Sequence, residues 1–92
     1  MKVEYKKSFI KDIKRIKDRN ILDRLEAVLL DLEKIESLAD LNRPGSGIVT
    51  IRGTTNYFRI RIGDYRLGIK WNDDCLVIIR FLSRGEIYRC FP

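Results

Sequence analysis

A Gly63-Asp64 pair stands between two alternating stretches, Tyr57-Phe58-Arg59-Ile60-Arg61-Ile62 before it and Tyr65-Arg66-Leu67-Gly68-Ile69-Lys70-Trp71 after it. This is a two-residue hairpin signal, because glycine supplies the positive φ that a primed turn requires and aspartate tolerates the next position. The turn fixes the register. Ile62 faces Tyr65, Arg61 faces Arg66, Ile60 faces Leu67, Arg59 faces Gly68, Phe58 faces Ile69 and Tyr57 faces Lys70. Side chains alternate across a strand, so Phe58, Ile60, Ile62, Tyr65, Leu67 and Ile69 share a face suited to a core. The other face carries Tyr57, Arg59, Arg61, Arg66 and Lys70, with Gly68 expected to leave a gap among them.

The rest of the chain supplies what covers the apolar face. Lys2 to Tyr5 reads as a short first strand. Ser8 is placed to cap a helix from Phe9 to Asp18, with Phe9, Ile13 and Ile16 at helical spacing. Asn20 is placed to cap a longer helix in which Leu22, Leu25, Leu29 and Leu32, with Ile21, Val28 and Ile35, form a wide apolar stripe. Leu41 to Gly47 collects Asn, Pro, Gly and Ser and reads as a loop. Strand-like runs follow at Ile48 to Arg52, Tyr57 to Ile62, Tyr65 to Trp71 and Leu76 to Leu82, with a last one at Glu86 to Phe91. In the fourth run Val77, Ile79 and Phe81 are expected on the core face, and Arg80 with Arg84 on the basic face. One strand, two helices and then several strands argue an α+β domain with helices on one face of a mainly antiparallel sheet. At 92 residues, the whole of 1–92 is expected to be one domain.

The 19 Lys and Arg against 13 Asp and Glu give a net charge of +6. A polyanion is the default partner for such a chain: nucleic acid, anionic lipid or an acidic protein segment. The charge is unevenly spread, with residues 1–19 and 42–92 basic and 20–41 acidic. The basic early residues, Lys6, Lys7, Lys11, Lys14, Arg15 and Lys17, fall on the first helix or beside it. No stretch has the apolar length of a signal peptide or membrane anchor, which sets the expectation of a cytoplasmic protein with no membrane partner. Cys75 and Cys90 lack metal-ligand spacing and are expected to be reduced thiols. There is no histidine, so the commonest metal ligand and the commonest general acid/base are both missing. Neither a metal nor another cofactor is expected, and chemistry must come from Arg, Lys, Tyr or carboxylates.

A single arginine on the outer face of a half-buried sheet is an ordinary solubilising residue. Several beside a tyrosine, with no carboxylate among them, form a different kind of surface. Arg61 directly opposite Arg66 is a like-charge cross-strand pair, unfavourable unless an anion sits between them. Guanidinium groups fork onto phosphate oxygens and an aromatic ring stacks on a base, which suits single-stranded RNA or DNA better than lipid.

The order of elements, the string from Tyr57 to Arg66, and the later Ser83-Arg84-Gly85-Glu86-Ile87-Tyr88 resemble the RelE/ParE superfamily of type II toxin-antitoxin toxins. The resemblance covers essentially the whole chain. It implies two N-terminal helices packed on a curved, mainly antiparallel sheet of four to five strands. For the RelE branch it implies a metal-independent, ribosome-dependent endoribonuclease that cuts messenger RNA in the ribosomal A site. The implied partners are a cognate antitoxin, the message and ribosomal RNA, with a larger assembly only alongside the antitoxin. By the same resemblance Arg59 and Arg61 match two basic positions that are lysines in well-known RelE enzymes. Arg66 matches the arginine after the turn, Arg84 the arginine ending the next strand, and Tyr88 the tyrosine that stacks on RNA near the scissile phosphate.

The implied reaction is attack of a ribose 2′-oxygen on the neighbouring phosphate, giving a 2′,3′-cyclic phosphate and a free 5′-hydroxyl. It needs positive charge on the phosphorane, a proton acceptor and a proton donor. Arg61 and Arg66 are candidates for charge stabilisation, Arg84 for the leaving group and Tyr88 for stacking, while Arg59, Tyr57, Lys70 and Arg80 are candidates for RNA binding. An arginine stays protonated, so arginine in place of lysine leaves the acceptor open among Lys70, Tyr88, Glu86 and an alignment imposed by ribosomal RNA. A second reading is a ParE-like inhibitor of DNA gyrase, which needs no catalytic constellation. A third is a plain RNA-binding adaptor.

Overall fold

A computed structural model describes residues 2–42 and 47–92. The chain runs β1 (Lys2–Tyr5), α1 (Lys7–Lys14), α2 (Arg19–Glu33), α3 (Leu38–Leu41), β2 (Ile48–Thr50), β3 (Tyr57–Ile62), β4 (Tyr65–Asn72), β5 (Cys75–Ser83) and α4 (Arg84–Cys90). The strands form one five-stranded sheet in the order β1-β5-β4-β3-β2. β1 lies parallel to β5, and the other three pairings are antiparallel. The α+β expectation therefore holds, with helices over a mainly antiparallel sheet.

The hairpin register is the one expected, from Ile62 opposite Tyr65 to Tyr57 opposite Lys70. Gly63 has φ +60°, and Asp64 is not in the positive-φ region, the pattern of a type II′ turn. A Cβ at Gly63 would lie 2.9 Å from Ile21 Cδ1, so α2 also presses against the turn. Phe58, Ile60, Ile62, Leu67 and Ile69 are buried against Phe9 of α1 and Ile21, Leu25 and Leu32 of α2. Each such side chain contributes about 1.5–3 kcal/mol by leaving water.

The helix boundaries differ from the expected ones for identifiable reasons. Asp18, not Asn20, caps α2, its carboxylate accepting from the N–H groups of Asn20 (3.0 Å) and Ile21 (3.3 Å). α1 begins earlier, at Lys7, and Ser8 is no cap; its hydroxyl donates to the Ile79 carbonyl at 2.6 Å. α2 ends at Glu33, and the short α3 follows, with the Asp40 carboxylate accepting from the N–H groups of Glu36 and Ser37. Of the expected loop, Leu41 closes α3, and residues 43–46 lie outside the described residues.

Two corrections fall at the end of the chain. Glu86 to Phe91 is not a strand but belongs to α4 and the residue that closes it, with Ile87 and Phe91 packed on Leu82 in a second, smaller core. β5 also carries an irregularity: Ile69 pairs with Ile78 but Gly68 pairs with Arg80, which leaves Ile79 as an extra residue. This bulge changes the side-chain phase. Leu76, Ile78 and Phe81 enter the main core, while Val77 faces the side of Lys70 and Ile79 packs on the second core, not the first.

Candidate nucleic-acid interface

β3 and β4 carry the basic face, and α4 lies across part of it. The position of α4 follows from three contacts. The Arg84 N–H donates to the Asp64 carbonyl at 2.9 Å, which ties the start of the helix to the hairpin turn. Ile87 and Phe91, four residues apart on one helix face, seat it on Leu82. Phe91 lies directly on Gly68, where a Cβ would sit 2.9 Å from three ring carbons. The expected gap at Gly68 is therefore filled by an aromatic ring from the same chain.

Around this seat the candidate residues divide into engaged and open groups. Tyr57 meets Phe91 edge-on at 5.7 Å and carries the Lys70 ammonium over its ring at 5.3 Å. Both residues are thus committed to the second core and its border. Arg61 and Arg66 face each other across the strands, as alternation requires, with Arg61 exposed. One Arg66 nitrogen, Nη1, donates to the carbonyls of Gly63 (3.0 Å) and Tyr65 (2.9 Å), which aims the remaining guanidinium donors from a fixed base. Arg84 is exposed at the start of α4. Tyr88, one turn on from Arg84, is 57% exposed and lies on the Arg59 guanidinium at 4.7 Å, an attractive cation–π arrangement. Arg59, Arg61, Arg66, Arg84 and Tyr88 thus form an open cationic surface with one accessible aromatic ring.

Arg80 does not join that open group. After the bulge it stands opposite Gly68, but its guanidinium turns to Asp12 of α1, Nε donating to Oδ2 at 2.9 Å and Nη2 to Oδ1 at 3.0 Å. Asp12 is 3% exposed and also accepts from the Phe81 N–H at 3.0 Å. Hydrogen bonding to Asp12 holds the guanidinium above its ordinary pKa, against a smaller opposing effect of burial. A side chain so paired is an internal fastening, which corrects its expected place on the open surface. No sequence pattern singles out Asp12, although it sits between Phe9 and Ile13 on the inward side of α1, where a carboxylate needs a partner. Glu86 accepts from the Ser83 hydroxyl at 2.8 Å. Both cysteines are free thiols, and no cluster among the described residues could hold a metal ion.

Residues 3–88 match the family described as the ParE toxin of type II toxin-antitoxin system, parDE. Over 92 residues, all of both chains, the sequence is 39% identical to Toxin RelE3 of Methanocaldococcus jannaschii. This chain belongs to the RelE/ParE superfamily. The RelE/ParE fold extends to solved structures. The RelB-RelE antitoxin-toxin complex from Methanococcus jannaschii contains a chain with TM-score 0.72 and 36% identity, covering 97% of this chain and 99% of that one. A toxin from Helicobacter pylori follows with TM-score 0.65 and 28% identity, covering 95% and 98%. The archaeal RelE-RelB complex from Pyrococcus horikoshii OT3 shares the fold at TM-score 0.67 and 23% identity, over 91% and 94%. The chain is accordingly a RelE-like toxin of a type II toxin-antitoxin system. None of the helices among the described residues is long and apolar enough to cross a membrane.

Proposed function

We propose that this toxin is a ribosome-dependent endoribonuclease that cleaves messenger RNA in the A site and is held inactive by a cognate antitoxin. The observation that carries the reading is the Arg61–Arg66 cross-strand pair, two like charges side by side with Arg84 tied to the adjacent turn. Such a pair costs stability unless an anion bridges it, and a scissile phosphate is that anion. The ribose 2′-oxygen attacks phosphorus, the bond to the 5′-oxygen breaks, the 2′-proton leaves and the 5′-oxygen gains one. Arg61 and Arg66 stabilise the charge of the pentavalent phosphorane, and Arg84 serves the leaving oxygen. The exposed face of Tyr88 stacks on a base, its other face resting on Arg59. The RelB-RelE complex among the similar structures supports the antitoxin partner.

Position ranks the three protein candidates for proton acceptor. Lys70 sits at the Tyr57 rung, four residues along β3 from Arg61, or roughly 13 Å. Glu86 is engaged by Ser83. Tyr88 is stacked on Arg59, two positions along β3 from Arg61 and on the same face, which favours it. Two substitutions separate its roles: Tyr88→Phe keeps the ring and removes the hydroxyl, and Tyr88→Ala removes both. With purified toxin and message-programmed ribosomes, proton transfer predicts a loss of about 10²–10⁴ in kcat for Tyr88→Phe with KM unchanged. A stacking role alone predicts near wild-type cleavage for Phe and weakened binding for Ala. Cyclic phosphate ends on the product would identify the reaction itself.

The lysines of α1 extend the reading to ribosomal RNA. Lys7, Lys11 and Lys14 recur at helical spacing on an exposed stripe, and no ion pair among the described residues engages them. Replacing all three by glutamine should reduce the magnitude of the slope of log affinity for ribosomes against log salt by about 2–3, at about 0.7–0.9 for each phosphate no longer neutralised. The family match to ParE toxins favours a second reading, a non-nuclease inhibitor of DNA gyrase. Intact message alongside inhibited supercoiling would select it.

A further inference from the structure

Pairing of β1 with β5 stops at Tyr5 and Ile78, where the Lys6 N–H donates to the Ile78 carbonyl. Beyond that point no strand among the described residues continues along this edge of β5, and it is here that the bulge occurs. Backbone groups on a bulge need partners from elsewhere when the ladder does not supply them. Two residues of α1, four apart on one helix face, provide them. Ser8 Oγ donates to the Ile79 carbonyl at 2.6 Å, and Asp12 accepts from the Phe81 N–H while holding Arg80 at both ends of its carboxylate.

The register set by the bulge reaches the candidate site. With it, Phe81 faces Leu67, Leu82 faces Arg66, Ser83 faces Tyr65, and the Arg84 N–H meets the Asp64 carbonyl. Continuing the Ile69–Ile78 rung without it would put Arg80 opposite Leu67 on the core face and Phe81 opposite Arg66 on the basic face. The start of α4 would slide by one residue, about 3.3 Å. That is comparable to the 4.7 Å separating Arg59 from the Tyr88 ring. We propose that Ser8 and Asp12 are positioning residues: by fastening the β5 bulge they set the register that places Arg84 and Tyr88 against the Arg61–Arg66 pair. The catalytic arm of this inference rests on the nuclease reading; the register arm does not.

The test is a Ser8→Ala/Asp12→Asn double variant of the full chain, with Ser8→Ala alone as the milder variant should the double one fail to fold. Cross-strand proton proximities read by NMR report register directly. Wild type should show Leu67 against Phe81, and the variants should weaken that signal and show a new one between Leu67 and Arg80. Exchange of the Arg84 amide should quicken tenfold or more, while the Leu25 amide of α2 stays protected. On programmed ribosomes, kcat should fall tenfold or more with KM within twofold of wild type. An unchanged Leu67–Phe81 signal and unchanged Arg84 exchange would overturn the proposal. So would a moved register with undiminished cleavage, if Arg84→Ala abolishes cleavage in parallel. A moved register with RNA uncut by every form, wild type included, would sink the nuclease reading and leave the register assignment standing.

Discussion

An Arg61→Ala toxin should cleave ribosome-bound message about 10²–10³-fold more slowly than wild type, the usual loss when one preorganised charge is removed from a transition state. Its stability should move the other way. Arg61 is exposed and faces Arg66, so alanine removes a like-charge pair and should stabilise the sheet by a few tenths of a kcal/mol. Single-turnover cleavage and a denaturation curve on the same sample decide the matter. Arg66→Ala is a less clean probe, because that side chain also holds two carbonyls of the hairpin turn. An Arg61→Ala protein with full cleavage would remove the central observation from the proposed function. A large loss of stability would show that Arg61 is part of the scaffold.

The second large effect is expected at the Asp12–Arg80 pair. Asp12→Ala strips Arg80 of a bidentate partner and leaves the Phe81 N–H without an acceptor. Breaking a buried pair from one side costs about 3–5 kcal/mol. Arg80 keeps 27% of its side chain in contact with solvent, so the lower end, about 3 kcal/mol, applies here. That is a large share of the roughly 5–15 kcal/mol holding a domain folded. At about 4–8 °C per kcal/mol for a chain of this size, the midpoint of thermal unfolding should fall by roughly 12–24 °C. Adding Arg80→Met should restore part of the loss by removing the stranded cation. If Asp12→Ala melts within a few degrees of wild type, the pair contributes little and Arg80 is free to serve as a surface residue.

The hairpin was legible because its information is local. Gly63-Asp64 dictates a turn, the turn dictates a register, and alternation then sorts the arginines from the core with no knowledge of the remaining chain. The end of the chain follows different rules. Ile87 and Phe91 stand four apart, and Ser83-Arg84-Gly85-Glu86 has the Ser-x-x-Glu spacing of a helix start, but so short a segment also reads as a strand. The helix wins because Phe91 finds a flat seat on Gly68 and the Arg84 N–H finds the Asp64 carbonyl. Neither contact is visible from composition or period. The bulge was still less accessible: β5 has no glycine to mark it, and the residues that satisfy it lie about seventy positions away in α1. Hence Arg59, Arg61 and Arg66 are placed by alternation, Arg84 is reached by parity along the last long strand as well as by family resemblance, Tyr88 by resemblance alone, and Arg80 is misplaced because its pairing with Asp12 is encoded by no local pattern.

The parallel pairing of β1 with β5 also bears on when the protein becomes functional. β1 is made before its neighbour in the sheet and waits for Cys75 to Ile78, and Ser8 and Asp12 wait for Ile79 to Phe81. Contacts this distant in sequence form slowly, since the intervening chain must be ordered before they can close. A nascent chain stopped before residue 80 would carry Arg59, Arg61 and Arg66 but no fastened register and no α4 across the sheet. Assembly of the cationic surface is thus deferred until β5 and α4 have emerged. Under the proposed function, in which the ribosome is the target, that delay separates synthesis from activity and gives an antitoxin time to arrive first.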